Sequence, residues 1–310
     1  MIATRLGRFG DKAAAADVAI AAQLACLLEA SAPKPGNVSP GRHFSDLRYE
    51  EFLASAAAIG APLTEAGARP LGTTVRLAVE ATARWTRSNT NLGIVLLLAP
   101  LARAALTDEG DSDLRAAVRR VLDETTVEDA REVYVAIRRA APGGLGTVDD
   151  QDVAGEPTRT LVDVMRLAAE RDAIAREYAT AFELTFLTAV PALERARRDG
   201  LAWDAASVET FLTLLAAGAD THIARRGGAA MAADVSRQAR AVLAAGGVRS
   251  AEGRDGIDRM DRSLRDARHV ANPGTAADLT AAAIFVVLLG GGWQAPLEAG
   301  AHGGRDAASR

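Results

Sequence analysis

At 310 residues the chain can bury a large core, and 49% of it is apolar while only 4% is aromatic. That alanine-rich, aromatic-poor mixture suits closely packed helices and excludes a β-sandwich or barrel, which needs aromatic and β-branched residues. A net charge of −4 gives no overall field for nucleic acid, so an anionic ligand must be held by a local cluster.

Helical periodicity places a first helix at 17–30, and its lone Cys26 excludes a disulfide framework and fits a reducing compartment. The loop Ser31-Ala-Pro-Lys-Pro-Gly-Asn-Val-Ser-Pro-Gly-Arg-His-Phe-Ser-Asp46 follows, too rich in proline and glycine for helix. A helix at 49–59, closed by Gly60-Ala-Pro, precedes one at 70–86 with proline at its start. The polar turn Ser88-Asn-Thr-Asn-Leu-Gly93 then opens the apolar helix 94–105. Further helices are expected at 112–123, 127–140, 158–170, 172–189, 205–217, 229–244, 257–268 and 276–289. Breaks fall at 142–146, 225–228, 246–256 and 272–274, and no alternating run argues for a hairpin. The pattern predicts an all-α chain: one multi-helix domain over 1–290, roughly ten to twelve helices, a central polar site built from inter-helix loops, and an irregular tail over 291–310.

Asp11, Lys12 and Asp17 interrupt what a signal peptide keeps apolar, and the longest apolar runs are about half a membrane span. A cytoplasmic protein is expected, without nucleic-acid or membrane partners, and a homodimer is compatible with this composition.

Four loops carry candidate chemistry. The first holds Lys34, His43 and Asp46, and Lys34 is one of only two lysines, so a compact ammonium rather than an arginine fork stands between its prolines. Incidental charges on a rigid helix connection are the plainer reading. In the second, Ser88, Asn89, Thr90 and Asn91 supply more side chains than an N-cap needs, and the following helix N-terminus favours an anion. The third, Asp220-Thr-His-Ile-Ala-Arg-Arg-Gly-Gly228, presents Arg225 and Arg226 for phosphate oxygens, although a helix C-terminus also favours such residues. In the fourth, Thr275 and Asp278 have capping-box spacing, which leaves Asn272 as the residue capping does not explain. A glycine-rich turn at 142–146 leads to Asp149, Asp150 and Asp152, a composition that suits Mg²⁺ or simple solvation.

With these motifs in order, the sequence resembles the triphosphoribosyl-dephospho-CoA synthase family. The family's Glu-x-x-x-x-Pro-Lys-Pro-Gly and Gly-x-His-x-Asp are matched by Glu29, Pro33-Lys34-Pro35-Gly36 and Gly41-Arg-His43-Phe-Ser-Asp46, with one extra residue before the aspartate. Its Asn-Thr-His-Lys-Gly becomes Asn89-Thr90-Asn91-Leu92-Gly93, which replaces the histidine and lysine. Asp220-Thr221, Arg226-Gly227-Gly228 and Asn272 through Leu279 match the remaining motifs, as in a divergent branch.

The resemblance implies transfer of the triphosphoribosyl group of ATP to a ribose hydroxyl of dephospho-CoA, with adenine released. It implies a phosphate cradle of Lys34, Arg225 and Arg226 with Mg²⁺, aided by Asn89, Thr90, Asn91, Gly93 and Asn272. Asp46 and Glu29 are candidates for base or metal ligand, Asp150 and Asp220 for metal ligands, and His43 for proton donor to adenine. Three alternatives stay open: a pterin-type coenzyme precursor as acceptor, a metal-dependent helical hydrolase of nucleotides or ADP-ribose-like compounds, and a binding scaffold that has lost activity. There is no Gly-x-x-x-x-Gly-Lys-Ser/Thr loop for γ-phosphate hydrolysis.

Overall fold

Helix α1 (Ala15–Ser31) stops where Pro33 and Pro35 withhold the amides a further turn would need. The computed structural model describes residues 14–108, 113–266 and 268–293. After the 32–48 loop come α2 (Tyr49–Ala58), α3 (Gly60–Thr64), α4 (Leu71–Thr82), α5 (Leu92–Thr107), α6 (Leu114–Asp123), α7 (Val127–Ala140) and α8 (Leu161–Ala168). The second half holds α9 (Ala173–Thr180), α10 (Val190–Arg198), α11 (Trp203–Ala217), α12 (Thr221–Gly227), α13 (Ala229–Ala244), α14 (Ala251–Leu264) and α15 (Gly274–Leu289). The all-α expectation holds: no strand forms among the described residues beyond one isolated bridge, Ser39 to Arg42.

Thirteen of the sixteen residues of α15 are buried, because the helix is apolar on every side and belongs at the centre. It packs against α1, α5 and α11, and a single core runs through these four helices and those around them. Pro100 lies inside α5 and cannot donate to the carbonyl of Leu96; the Tyr178 hydroxyl of α9 takes that carbonyl at 2.7 Å instead. On one flank α4 lies against α7, where a Cβ on Gly72 would fall 2.4 Å from the carbonyl oxygen of Asp129. No helix among the described residues is long and apolar enough to cross a membrane.

Several boundaries depart from the sequence reading, and the count rises to fifteen α-helices among the described residues. Gly60-Ala-Pro does not close α2; it opens the short α3. The expected helix 172–189 breaks without glycine or proline, at Ala181 and Phe182, both at positive φ. Buried Glu177 stabilises the break by accepting from the amides of Leu184 and Thr185, each at 2.9 Å, and a π turn (Thr185–Ala189) leads into α10. The glycines read as a break at 246–256 are partly helical, because Ser250 caps α14 by accepting from Gly253. The Thr275–Asp278 capping box does not form: α15 starts at Gly274, and its cap makes no side-chain bond. Of the expected tail, residues 294–310 lie outside the described residues.

Candidate active site

The Pro-Lys-Pro-Gly loop folds back under the end of α1. Lys34 is fully buried, its ammonium 2.9 Å from Glu29 Oε1, and it also donates to the carbonyls of Glu29 and, at 3.3 Å, Ala32. Gly36 turns the chain at φ 74°, where its amide donates to Asp261 Oδ1 at 2.8 Å and a Cβ would press on Leu264. Asn37, next in the chain, donates to Asn272 Oδ1 at 2.5 Å, which ties the first motif loop to the last.

Above this floor lies a cavity of about 530 Å³. The motif loops enclose it with the ends of α1, α5, α9, α12 and α15, while α7, α8 and the 141–153 loop form an aliphatic wall. Asn89 caps α5 by accepting from Leu92 N at 3.1 Å; Asn91 donates to Thr82 Oγ1 at 3.0 Å, and Thr90 bonds Ser55. The side chains of Asn89, Thr90 and Asn91 therefore each have a protein partner, so their surplus over a single cap does not require a ligand. Gly93 is needed for a different reason: a Cβ there would fall 2.0 Å from Asp278 Oδ2.

Asp278 projects from α15 into the cavity and makes no hydrogen bond or ion pair with another described residue. Burial holds its carboxyl well above the usual range, and repulsion from Glu29, Asp220 and Asp172 adds to this. Asp220 faces away from the cavity and pins α12 to α15, accepting from Ile223 N at 3.0 Å and Ala276 N at 2.8 Å. Burial outweighs these bonds and pushes its carboxyl up to about 6. His222 does line the cavity, and burial, with Arg225 and Arg226 nearby, pushes its imidazole down to about 4, so it is neutral at pH 7.

Arg225 and Arg226 occupy the last turn of α12, where the helix dipole favours cations. Arg225 pairs with Asp172, the N-cap of α9, and its buried Nε has no partner among the described residues. The exposed Arg226 donates to the carbonyls of His269 at 2.9 Å and Arg268 at 2.8 Å. His269 is held at φ 52°, an uncommon conformation for a residue with a side chain. Its ring stacks on Phe44 at 3.8 Å, with Nε2 3.3 Å from Asp46 Oδ1.

Of the sequence candidates, Glu29, Asp46, Asn89, Thr90, Asn91, Gly93, Arg225, Arg226 and Asn272 line this cavity. Lys34, His43, Asp150 and Asp220 do not. Lys34 is spent on Glu29, and exposed His43 accepts from Tyr49 N at 3.3 Å outside the cavity. Asp150 pairs with Arg159 at 2.9 Å on a solvated loop, and Asp152 spends both oxygens on Val148 N and Ala154 N. Among the described residues no three His, Cys, Asp or Glu side chains gather as a metal-ligand set. The cavity adds Asp278, His269, His222, Asp172 and Asn37, and a histidine three residues before Asn272 was the available signal for His269.

Helix ends that converge on one cavity, lined by arginines, carboxylates and an aliphatic wall, define a helical enzyme of small polar substrates. Residues 15–296 match the family described as ATP:dephospho-CoA triphosphoribosyl transferase, and the chain belongs to that family of transferases. A Pseudomonas syringae pv. tomato protein named "Probable 2-(5''-triphosphoribosyl)-3'-dephosphocoenzyme-A synthase" is 30% identical over 76% of this chain and 73% of its own length. A Pseudomonas paraeruginosa protein of the same name is 38% identical, but over 35% of this chain and only 37% of its own length. A solved structure carrying the triphosphoribosyl-dephospho-coA synthase name, from Archaeoglobus fulgidus, superposes with a TM-score of 0.59 at 28% identity, over 77% of this chain and 99% of that one. The resemblance read from the motifs is thereby borne out.

Proposed function

We propose that this protein transfers the triphosphoribosyl group of ATP to a ribose hydroxyl of dephospho-CoA and releases adenine. The observation that carries the reading is the convergence of the ordered motifs on one cavity, in a chain of this family. Transfer breaks the C1–N bond of ribose and forms a C1–O bond. Adenine leaves with the bonding electron pair and takes up a proton, and the attacking hydroxyl gives one up.

Positive charge builds on the ribose as the base departs, and the facing carboxylates of Glu29 and Asp278 suit that charge. Arg225 and Arg226 suit the triphosphate, since charge-assisted bonds from guanidinium groups are strong and directional. The Asp46–His269 pair is the arrangement for proton handling, with the carboxylate orienting the imidazole at 3.3 Å. Lys34 acts from below, giving Glu29 a buried counter-charge that also fixes its position.

Mg²⁺ fits this donor set. Asp278 has hard oxygens with no partner among the described residues and is held up partly by repulsion from Glu29, a strain that a divalent cation would relieve. Two carboxylates with substrate phosphates are what such an ion usually takes, and Glu29 and Asp278 would hold it. Bound there, the ion would neutralise charge on the phosphates.

Adenine release measured with and without dephospho-CoA tests the proposal. Release that requires the acceptor agrees with transfer. Release without any acceptor points to hydrolysis, and release restored only by a pterin-type precursor corrects the acceptor.

A further inference from the structure

The reaction chemistry uses only part of the cavity lining. Another part is walled by Val133 and Ile137 of α7 and by Leu161, Val164, Met165 and Ala168 of α8, with no charged side chain contributed by either helix. Its one polar side chain from these helices, Tyr134, spends its hydroxyl on the carbonyl of Gln151 at 2.5 Å. Of the charged groups around it, Asp152 accepts from two amides, exposed Arg171 donates one N–H to the carbonyl of Leu167, and Arg225 lies against Gly144 of the neighbouring loop. The aliphatic wall itself offers a phosphate no charged side chain.

Beside the aliphatic wall runs the glycine-rich 141–153 loop. Gly143, Gly146 and Thr147 commit neither a backbone N–H nor a C=O to another described residue. Leu145 stands half-exposed at the same edge. Free peptide groups along an apolar floor match one ligand class well: an uncharged, extended chain that carries amides of its own. Peptide groups of the loop can pair with those amides, while the chain's methylene and methyl groups cover the wall.

We infer that the α7–α8 wall, edged by residues 143–147, is the subsite for the uncharged amide-bearing chain of the acceptor. In dephospho-CoA that chain is the pantetheine arm, so the inference rests on the acceptor proposed above. The acceptor's own adenine is also uncharged, but ADP shares it; adenine of the donor is the third uncharged fragment in the reaction. It leaves from the reacting carbon, and so it belongs beside Asp46, His269 and the Asn37–Asn272 amides rather than at the aliphatic wall.

Equilibrium binding tests this without turnover. The full chain is titrated with dephospho-CoA and with ADP, which keeps the nucleotide half and lacks the chain. The wild-type protein should bind dephospho-CoA at least about tenfold more tightly than ADP, a difference of 1.4 kcal/mol. Ala168→Phe fills the wall from a half-buried position, and Leu145→Asn makes the exposed edge polar without adding charge beside Arg225 and Arg226. Each should erase the preference for dephospho-CoA and leave ADP and ATP affinities within about twofold. Thermal melts identify a variant that fails to fold, and Leu145→Asn, on a loop, then decides the matter. Equal binding of dephospho-CoA and ADP by the wild type would overturn the inference. So would variants that weaken ATP instead, since the wall would then hold adenine. Absence of adenine release in the turnover assay counts against the proposed reaction alone, because these titrations do not depend on it.

Discussion

Replacing Lys34 by methionine removes the charge from the most deeply buried cation of the described chain while nearly keeping its length. The ammonium has three protons and three acceptors: Glu29 Oε1, the Glu29 carbonyl and the Ala32 carbonyl. Loss of one partner from a buried pair costs about 3–5 kcal/mol, because the other charge stays desolvated without compensation. For 310 residues, an unfolding entropy of about 2.1 cal/mol/K per residue gives about 0.65 kcal/mol/K, so Tm should fall by about 5–8 °C. Lys34→Arg should also destabilise. Five N–H donors would meet three acceptors, and each buried donor left over costs about 1–3 kcal/mol. Adding Glu29→Gln to Lys34→Met should restore most of the stability, since it removes the uncompensated charge. Urea unfolding and thermal melts of the three variants, with Lys12→Arg outside the described residues as the control, give the comparison. A Lys34→Met protein within about 1 kcal/mol of wild type would refute the buried-pair reasoning.

Gly93→Ala should lower the rate of adenine release at least about tenfold with the helical circular dichroism retained, since its Cβ would displace the Asp278 carboxyl at 2.0 Å; an unchanged rate would clear Asp278 of a role. Asp46→Asn and His269→Gln should each reduce kcat, and the double variant should be no slower than the worse single one, because the two act as a unit; additive losses would separate them. Burial raises the Glu177 carboxyl, so the stability it contributes is fully present below its unfolded value and is lost as pH rises through the raised one. The Tm of Glu177→Gln relative to wild type should therefore climb between pH 4 and pH 8, and a flat difference would contradict that direction.

Much of the helical architecture was legible because apolar periodicity and the proline and glycine breaks act locally. Helix α7 (Val127–Ala140) falls where the pattern placed it, since Thr126 and Asp129 supply a capping box in the sequence itself. The break after Thr180 was not legible. It depends on Glu177 turning inward to accept two amides seven and eight residues ahead, a tertiary choice that Ala181-Phe182 does not announce. The site was legible as a set of loops but less so as side chains. Lys34 stood out through its rarity, yet rarity does not reveal that Glu29, five residues earlier, folds back onto it. His43 and His269 differ only in tertiary placement, and the stack on Phe44 that brings His269 to the cavity joins residues more than two hundred positions apart. Asp278 has the spacing of a capping residue, and only the start of α15 two residues earlier than expected, at Gly274, removes it from that role and leaves it lining the cavity.

The fate of the ATP molecule tests the proposed reaction most directly. Purified protein is incubated with ATP, Mg²⁺ and dephospho-CoA, and the products are separated by chromatography and weighed by mass spectrometry. Glycosidic transfer predicts free adenine in equal amount to a dephospho-CoA adduct that carries the intact triphosphoribosyl group. ADP, AMP or phosphate as the main products, with no adenine under any condition, would contradict it.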